Sequence, residues 1–145
     1  MPRTDSKLHS LMRLLNHREA LARRQLAARQ EAMAGAQAQA DQLDGMRREY
    51  RDRLESAGST GVRAGDLQMW RRFNQSLDDV VDVQTLQVEK LRQELEQAQA
   101  ACLAALVKRR GGEKLEAARD RDEQVLQRRR ERTEASDRAS RRGTD

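Results

Sequence analysis

The fold is decided by residues 57–65, Ala-Gly-Ser-Thr-Gly-Val-Arg-Ala-Gly, which hold three of the eight glycines of the chain. Glycine inside a helix costs about 1 kcal/mol relative to alanine, so a cluster of glycines favours a turn. The long segments on either side contain no proline, because Pro2 is the only one in the sequence. No proline therefore breaks either segment, and the stretch predicts a turn between two long helices.

Apolar residues recur at spacings of three and four over residues 8–54, before the turn, and again over residues 67–106. This period is typical of helices that bury one narrow face, as the helices of a coiled coil do. Glu19 and Arg29 occupy positions where the first stripe requires an apolar residue. We expect the contact between the helices to be weak at these two positions.

The composition agrees with such an elongated packing, since 37% of residues are hydrophobic, 37% are charged and only 2% are aromatic. This is too little bulky apolar material for a layered globular core. The sequence predicts an all-α fold, a two-helix antiparallel coiled-coil hairpin that forms a single domain over residues 1–130. We expect helices at about 5–56 and 66–130, a turn at 57–65, and a basic, flexible tail at 131–145.

The length of the turn also predicts the register of the two helices. If Ser56 faces Asp66, each step backwards along the first helix is matched by one step forwards along the second. Tyr50 then lies near Phe73, and Asp5 faces Ala117. The second helix extends well past the start of the first, which gives an Arg-rich overhang.

Gly111-Gly112 falls inside the second predicted helix. Two consecutive glycines weaken a helix, so we expect a kink or a soft joint at this point.

Residues suited to catalysis or cofactor binding are sparse. His9 and His17 are eight residues apart, which is not the spacing of a helical ligand pair, and Cys102 is the only cysteine. The glycines of the turn do not precede the Lys-Ser or Lys-Thr of a phosphate-binding loop. We expect no enzyme activity, no cofactor and no metal. With no apolar run long enough to span a bilayer, we also expect a cytoplasmic protein.

Basic residues are concentrated at two places, residues 47–72 around the turn and residues 128–142 near the end of the chain. Both are candidate contact surfaces for partners. Elsewhere acidic residues alternate with basic ones nearly one for one along both helices. We therefore expect no uninterrupted basic face that could follow a phosphate backbone.

The residues around the turn carry a resemblance to a known family. The elements are Glu-Tyr-Arg-Asp-Arg-Leu at 49–54, Gly61-Val62, Trp-Arg-Arg-Phe-Asn-Gln-Ser-Leu at 70–77, and Gln84. Over roughly residues 5–130 the chain resembles the FliJ family of flagellar export proteins. The resemblance implies a cytoplasmic component of the type III export apparatus, held at the inner face of the membrane by protein partners.

The resemblance also implies partners and sites. Family members act as the central stalk of the hexameric export ATPase, FliI, contact the export gate protein FlhA, and escort export chaperones. The implied gate-binding residues are Gln39, Leu43, Met46, Tyr50, Phe73, Leu77, Val80 and Gln84. The overhang and the resemblance together place ATPase binding on Arg119, Arg121, Arg128, Arg129, Arg130 and Arg132.

Two features depart from the family pattern. Met46 stands where an aromatic residue often stands, and Gly111-Gly112 interrupts a helix that is normally continuous. The seam positions of Leu43 and Leu77 also allow a simpler role in packing the hairpin. We expect Tyr50, Trp70 and Phe73 to serve both packing and binding.

The sequence is also compatible with other functions. The chain could be the related stalk of an injectisome secretion system, or another cytosolic coiled-coil adaptor. A pI near 10.1 raises a third alternative, a basic nucleic-acid-binding protein. The interleaved acids argue against that alternative, so we expect neither a nucleic-acid partner nor a small-molecule substrate.

Overall fold

The structure is a computed structural model that describes residues 2–59, 61 and 63–143, with side chains from residue 5 onward. It contains two helices, α1 at Pro2–Ser59 and α2 at Ala64–Arg142. The described residues include no strand. The two long helices pack against each other, which confirms the prediction of an all-α helical hairpin.

The turn is shorter than predicted because both helices reach further into the glycine-rich stretch. The Ser59 hydroxyl donates a hydrogen bond of 2.8 Å to the carbonyl of Ser56 in the last turn of α1. Gly61 has φ of +78°, a left-handed conformation that glycine adopts without steric cost. Thr60 and Val62 of the predicted turn lie outside the described residues.

Asp66 lies within the first turn of α2 and is not the residue that precedes it. The backbone N–H of Leu67 already bonds to the carbonyl of Arg63 at 3.1 Å, so the helical pattern begins before Asp66. A carboxylate in the first turn still interacts favourably with the positive end of the helix dipole.

At its other end α2 continues to Arg142, past the predicted end at about residue 130. The nearest glycine beyond residue 112 is Gly143, whose N–H bonds to the carbonyl of Ala139 at 3.1 Å. Nothing in the intervening sequence breaks the helix, and side chains of residues 120–143 are exposed. The predicted flexibility of residues 131–145 stays a prediction, and residues 144 and 145 lie outside the described part.

The chain divides into two compact units. One is Ala22–Cys102, and the other combines Met1–Leu21 with Leu103–Asp145. Each unit contains a segment of α1 packed against an antiparallel segment of α2.

In the unit Ala22–Cys102 the buried apolar residues are Ala36 and Leu77. The side-chain amide of Gln84 donates a hydrogen bond of 3.3 Å to the carbonyl of Ala36 across the two helices. Arg29 forms an ion pair of 3.0 Å with Glu94. The predicted register pairs Arg29 with the residue just before Glu94, so it is correct here to within one residue.

In the unit of Met1–Leu21 and Leu103–Asp145, Met12 and Leu15 are buried on α1 against a buried Gly112 on α2. The predicted register places Met12 two residues from Gly112, which is within the reach of these side chains. Gly111-Gly112 lies inside α2 without any break in the helical pattern. In place of the expected joint, α2 is continuous here, and the absence of a side chain at Gly112 allows Met12 and Leu15 of α1 to pack closely against it.

The sequence led us to expect weak contact between the helices at Glu19 and Arg29, but both residues form ion pairs across the helix pair. Glu19 is buried and forms an ion pair with Arg109, which also pairs with Glu113 one turn further along α2. Arg29 pairs with Glu94. Both polar seam residues therefore connect α1 to α2 by charge.

We predict opposite effects for alanine at the two adjacent glycines. A Cβ at Gly112 would lie 2.7 Å from Met12 Sδ and 2.8 Å from Leu15 Cδ1, whereas a Cβ at Gly111 has no such contact within 4 Å. Gly111→Ala should stabilise the protein by up to about 1 kcal/mol through helix propensity. Gly112→Ala should lose that gain to overpacking, which typically costs about 1–3 kcal/mol.

Urea unfolding followed by circular dichroism measures both variants. Equal stabilisation by Gly111→Ala and Gly112→Ala would contradict close packing at Gly112.

Candidate protein-interaction site

Three aromatic rings meet beside the turn. The centroid of the Tyr50 ring on α1 lies 4.8 Å from the centroid of the Phe73 ring on α2, with an interplanar angle of 68°. It lies 5.9 Å from the centroid of the Trp70 ring, also on α2, with an interplanar angle of 55°. Tilted and edge-to-face contacts of this kind contribute about 0.5–1.5 kcal/mol beyond the area they bury. The predicted proximity of Tyr50 and Phe73 is confirmed.

The outer side of this aromatic cluster is open to solvent. Phe73 is 45% exposed and Met69 is 62% exposed. Arg53 lies over the Tyr50 ring at 5.6 Å, a distance suited to a cation–π interaction. Together with Trp70 these residues line a groove of about 430 Å³. An exposed groove of aromatic, methionine and arginine side chains matches the composition that protein interfaces favour.

Met69 was missed by the sequence reasoning. It lies off the buried stripe, immediately before Trp70, so the spacing of apolar residues gives it no role in packing. An apolar residue outside the stripe and beside an aromatic cluster was the available signal.

The predicted gate-binding residues have different exposures. Leu77 is only 7% exposed and belongs to the packing between the helices. Leu43, Tyr50 and Gln84 are half-buried. The residues that reach the surface most fully are Gln39, Met46, Phe73 and Val80.

Acidic residues organise part of the arginine surface near the turn. Asp78 lies 3.9 Å from Arg47 Nε and 3.6 Å from Arg51, both across the helix pair. Asp78 thus takes part in the contact between the helices. Arg71 and Arg72, next to the aromatic cluster, are exposed and form no ion pair with any described residue.

The predicted ATPase-binding arginines lie towards the end of α2. Arg119 is 3.7 Å from Asp5 on α1, and Arg121 Nε donates a hydrogen bond of 3.4 Å to the carbonyl of Ala117. Side chains of residues 120–143 are exposed, including Val125 and Leu126. No described carboxylate forms an ion pair with the remaining four, which are Arg128, Arg129, Arg130 and Arg132.

Neither helix offers a metal site or a membrane span within the part of the chain that the structure describes. No group of three His, Cys, Asp or Glu side chains there could hold an ion. No helix there is long and apolar enough to cross a bilayer.

Two residues of the predicted gate-binding set allow packing to be separated from binding. We predict that Leu77→Ala lowers the free energy of unfolding by about 2 kcal/mol or more, because it opens a cavity in the seam. Val80→Ala should cost less than about 1 kcal/mol, since Val80 is 49% exposed. Thermal and urea unfolding measure both, and equal losses would show that Val80 packs as Leu77 does.

The sequence matches one family model, which is described as Flagellar FliJ protein, over residues 4–143. No curated protein and no solved structure matches the chain. The match spans α1, the turn and α2 almost completely. The FliJ family comprises non-catalytic components associated with flagellar export. The chain therefore belongs to the FliJ family.

Proposed function

We propose that this protein acts as the central stalk of the hexameric flagellar export ATPase, FliI. The observation that carries the proposal is the end of α2, where exposed arginines extend beyond Arg119, whose pairing with Asp5 is the last described ion pair to α1. A single helix on which Arg128, Arg129 and Arg130 form no described ion pair fits a carboxylate-lined opening. Exposed ion pairs contribute only about 0 to 1 kcal/mol each, so they exchange readily as the surrounding ring changes state.

The aromatic cluster at the turn is the proposed contact for the export gate protein, FlhA. Phe73, Met69 and the half-buried Tyr50 supply apolar area, while Arg71 and Arg72 supply charge at the rim. Large aromatic anchors with arginines around them carry most of the energy in many interfaces. Leu77 contributes by holding the helix pair together below this surface.

Escort of empty export chaperones is a third part of the proposal, and it rests on family membership alone. We place the protein in the cytoplasm, at the inner face of the membrane, with the ATPase and gate as its partners. Membership of a flagellar family favours the flagellum over the related injectisome.

We predict that Tyr50→Ala combined with Phe73→Ala weakens gate binding at least tenfold and leaves ATPase binding unchanged. The matched control is Val83→Ala with Leu86→Ala, which removes two exposed apolar residues elsewhere on α2 and should change neither affinity. Isothermal titration with the cytosolic domain of the gate measures binding, and circular dichroism checks helicity. Unchanged gate affinity, or loss of helix in the first variant, would remove the aromatic cluster as a docking site.

We predict that changing Arg128, Arg129 and Arg130 to Glu abolishes stimulation of the ATPase, as should deletion of the exposed end of α2 from residue 121. The control changes Arg13, Arg18 and Arg24 on α1 to Glu, which alters net charge equally and should preserve stimulation. Stimulation by the unmodified protein should fall as salt rises, because exposed charges are screened. Full stimulation by the truncated protein would place the ATPase contact elsewhere.

A further inference from the structure

One side of α2 carries a row of cations, here called the basic stripe. Its members recur at intervals that bring them to the same face of a helix at about 100° per residue. All are exposed. The basic stripe consists of Arg110, Lys114, Arg121, Arg128, Arg132 and Arg142.

Several cations on the other sides of α2 pair with carboxylates. Arg109 pairs with Glu19 and Glu113, Arg119 lies 3.7 Å from Asp5, and Arg138 lies 4.0 Å from Glu134. Within residues 103–142 every Asp and Glu falls outside the face of the stripe. As a result, no described carboxylate neutralises a cation of the stripe.

The sequence alone led us to expect no uninterrupted basic face, and that expectation is wrong for this segment. That expectation rested on the alternation of acidic and basic residues along the sequence, which does not show how they divide between the sides of a helix. Because α2 is helical from Ala64 to Arg142, the cations of the stripe share one face from Arg110 to Arg142.

Apolar residues share the stripe with the cations. Leu103 and Val107 precede Arg110 on the same face, Val125 lies between Arg121 and Arg128, and all three are exposed. An exposed helical face that combines arginine and lysine with aliphatic side chains is suited to the boundary between headgroups and acyl chains of a bilayer. A phosphate backbone offers no comparable environment for the aliphatic residues.

We propose that the basic stripe binds directly to the surface of an anionic lipid bilayer. From Arg110 to Arg142 it extends about 48 Å along one helix, at about 1.5 Å per residue. A plane can meet all of these cations at once, whereas the phosphates of a duplex wind around its axis once in about 34 Å. The stripe also lacks an aromatic residue on which the bases of a single strand could stack.

Each cation that reaches an anionic surface multiplies the affinity by about five, so several cations together give reversible binding. Binding should be strongest at low salt and should vanish on neutral lipid. The inference concerns this chain alone and requires no ATPase or gate.

The test is flotation of the full chain with vesicles of phosphatidylcholine, with and without 30% phosphatidylglycerol. The stripe variant changes Arg110, Lys114 and Arg121 to Gln. The control variant changes Lys108, Arg138 and Arg141 to Gln, which removes the same charges from the other sides of α2. Glutamine is a good helix former, and circular dichroism verifies that both variants remain helical.

We expect the unmodified chain to float only with the anionic vesicles. The stripe variant should bind about a hundredfold more weakly, and the control variant within about threefold of the unmodified chain. Equal loss in both variants would show that net charge alone is responsible and would overturn the stripe. Failure of the unmodified chain to bind anionic vesicles, with retained binding to duplex DNA run in parallel, would overturn the lipid partner in favour of nucleic acid.

Discussion

In each of the two units α1 and α2 meet along a narrow seam, and the other features of the protein depend on this constraint. Among the described residues, no side chain is less than 2% exposed. Two helices alone cannot enclose a side chain from all directions, so even the best-covered seam residues, such as Leu77, keep some exposure. Burial therefore stabilises each contact less than it would in a globular core, and most of the surface remains available to partners.

A narrow seam with many alanines specifies register poorly if apolar contacts act alone. Polar contacts across the helices help to specify the register, as a buried polar residue does in many coiled coils. Glu19 with Arg109, Arg29 with Glu94, and Gln84 with the carbonyl of Ala36 each join α1 to α2. A slip by one residue would separate these partners and leave the Glu19 carboxylate buried away from its cation.

Much of the fold could be predicted because its signals are local. The glycine-rich stretch gave the turn, and the apolar spacing gave two helices whose register was correct to within two residues at Arg29 and Met12. The boundaries were less accurate, because capping contacts such as Ser59 to Ser56 have no strong sequence signature. Gly112 was misjudged for a different reason. Its role depends on Met12 and Leu15, which are far away in the sequence, and only their packing shows that a side chain there would not fit.

The site was predicted in part. Aromatic residues beside the turn could be located from sequence, since the turn fixes which of them face each other. The exposure of each side chain could not be predicted from the sequence. The predicted gate-binding set therefore contains both Leu77, which is buried, and Val80, which is exposed. Met69 was missed because the spacing of apolar residues identifies the residues that pack between the helices. It does not identify apolar residues that are exposed.

The exposed end of α2 has a thermodynamic consequence. Residues 120–143 bury no side chain, so their unfolding removes nothing from the seam. Such a segment unfolds locally and need not follow the cooperative transition of the rest. The steepness of a denaturant transition reflects the surface that unfolding exposes, and this segment adds little to it. If a partner covers this segment, the segment should unfold together with the rest of the helix pair. The denaturant transition would then become steeper, and its midpoint would move to a higher denaturant concentration.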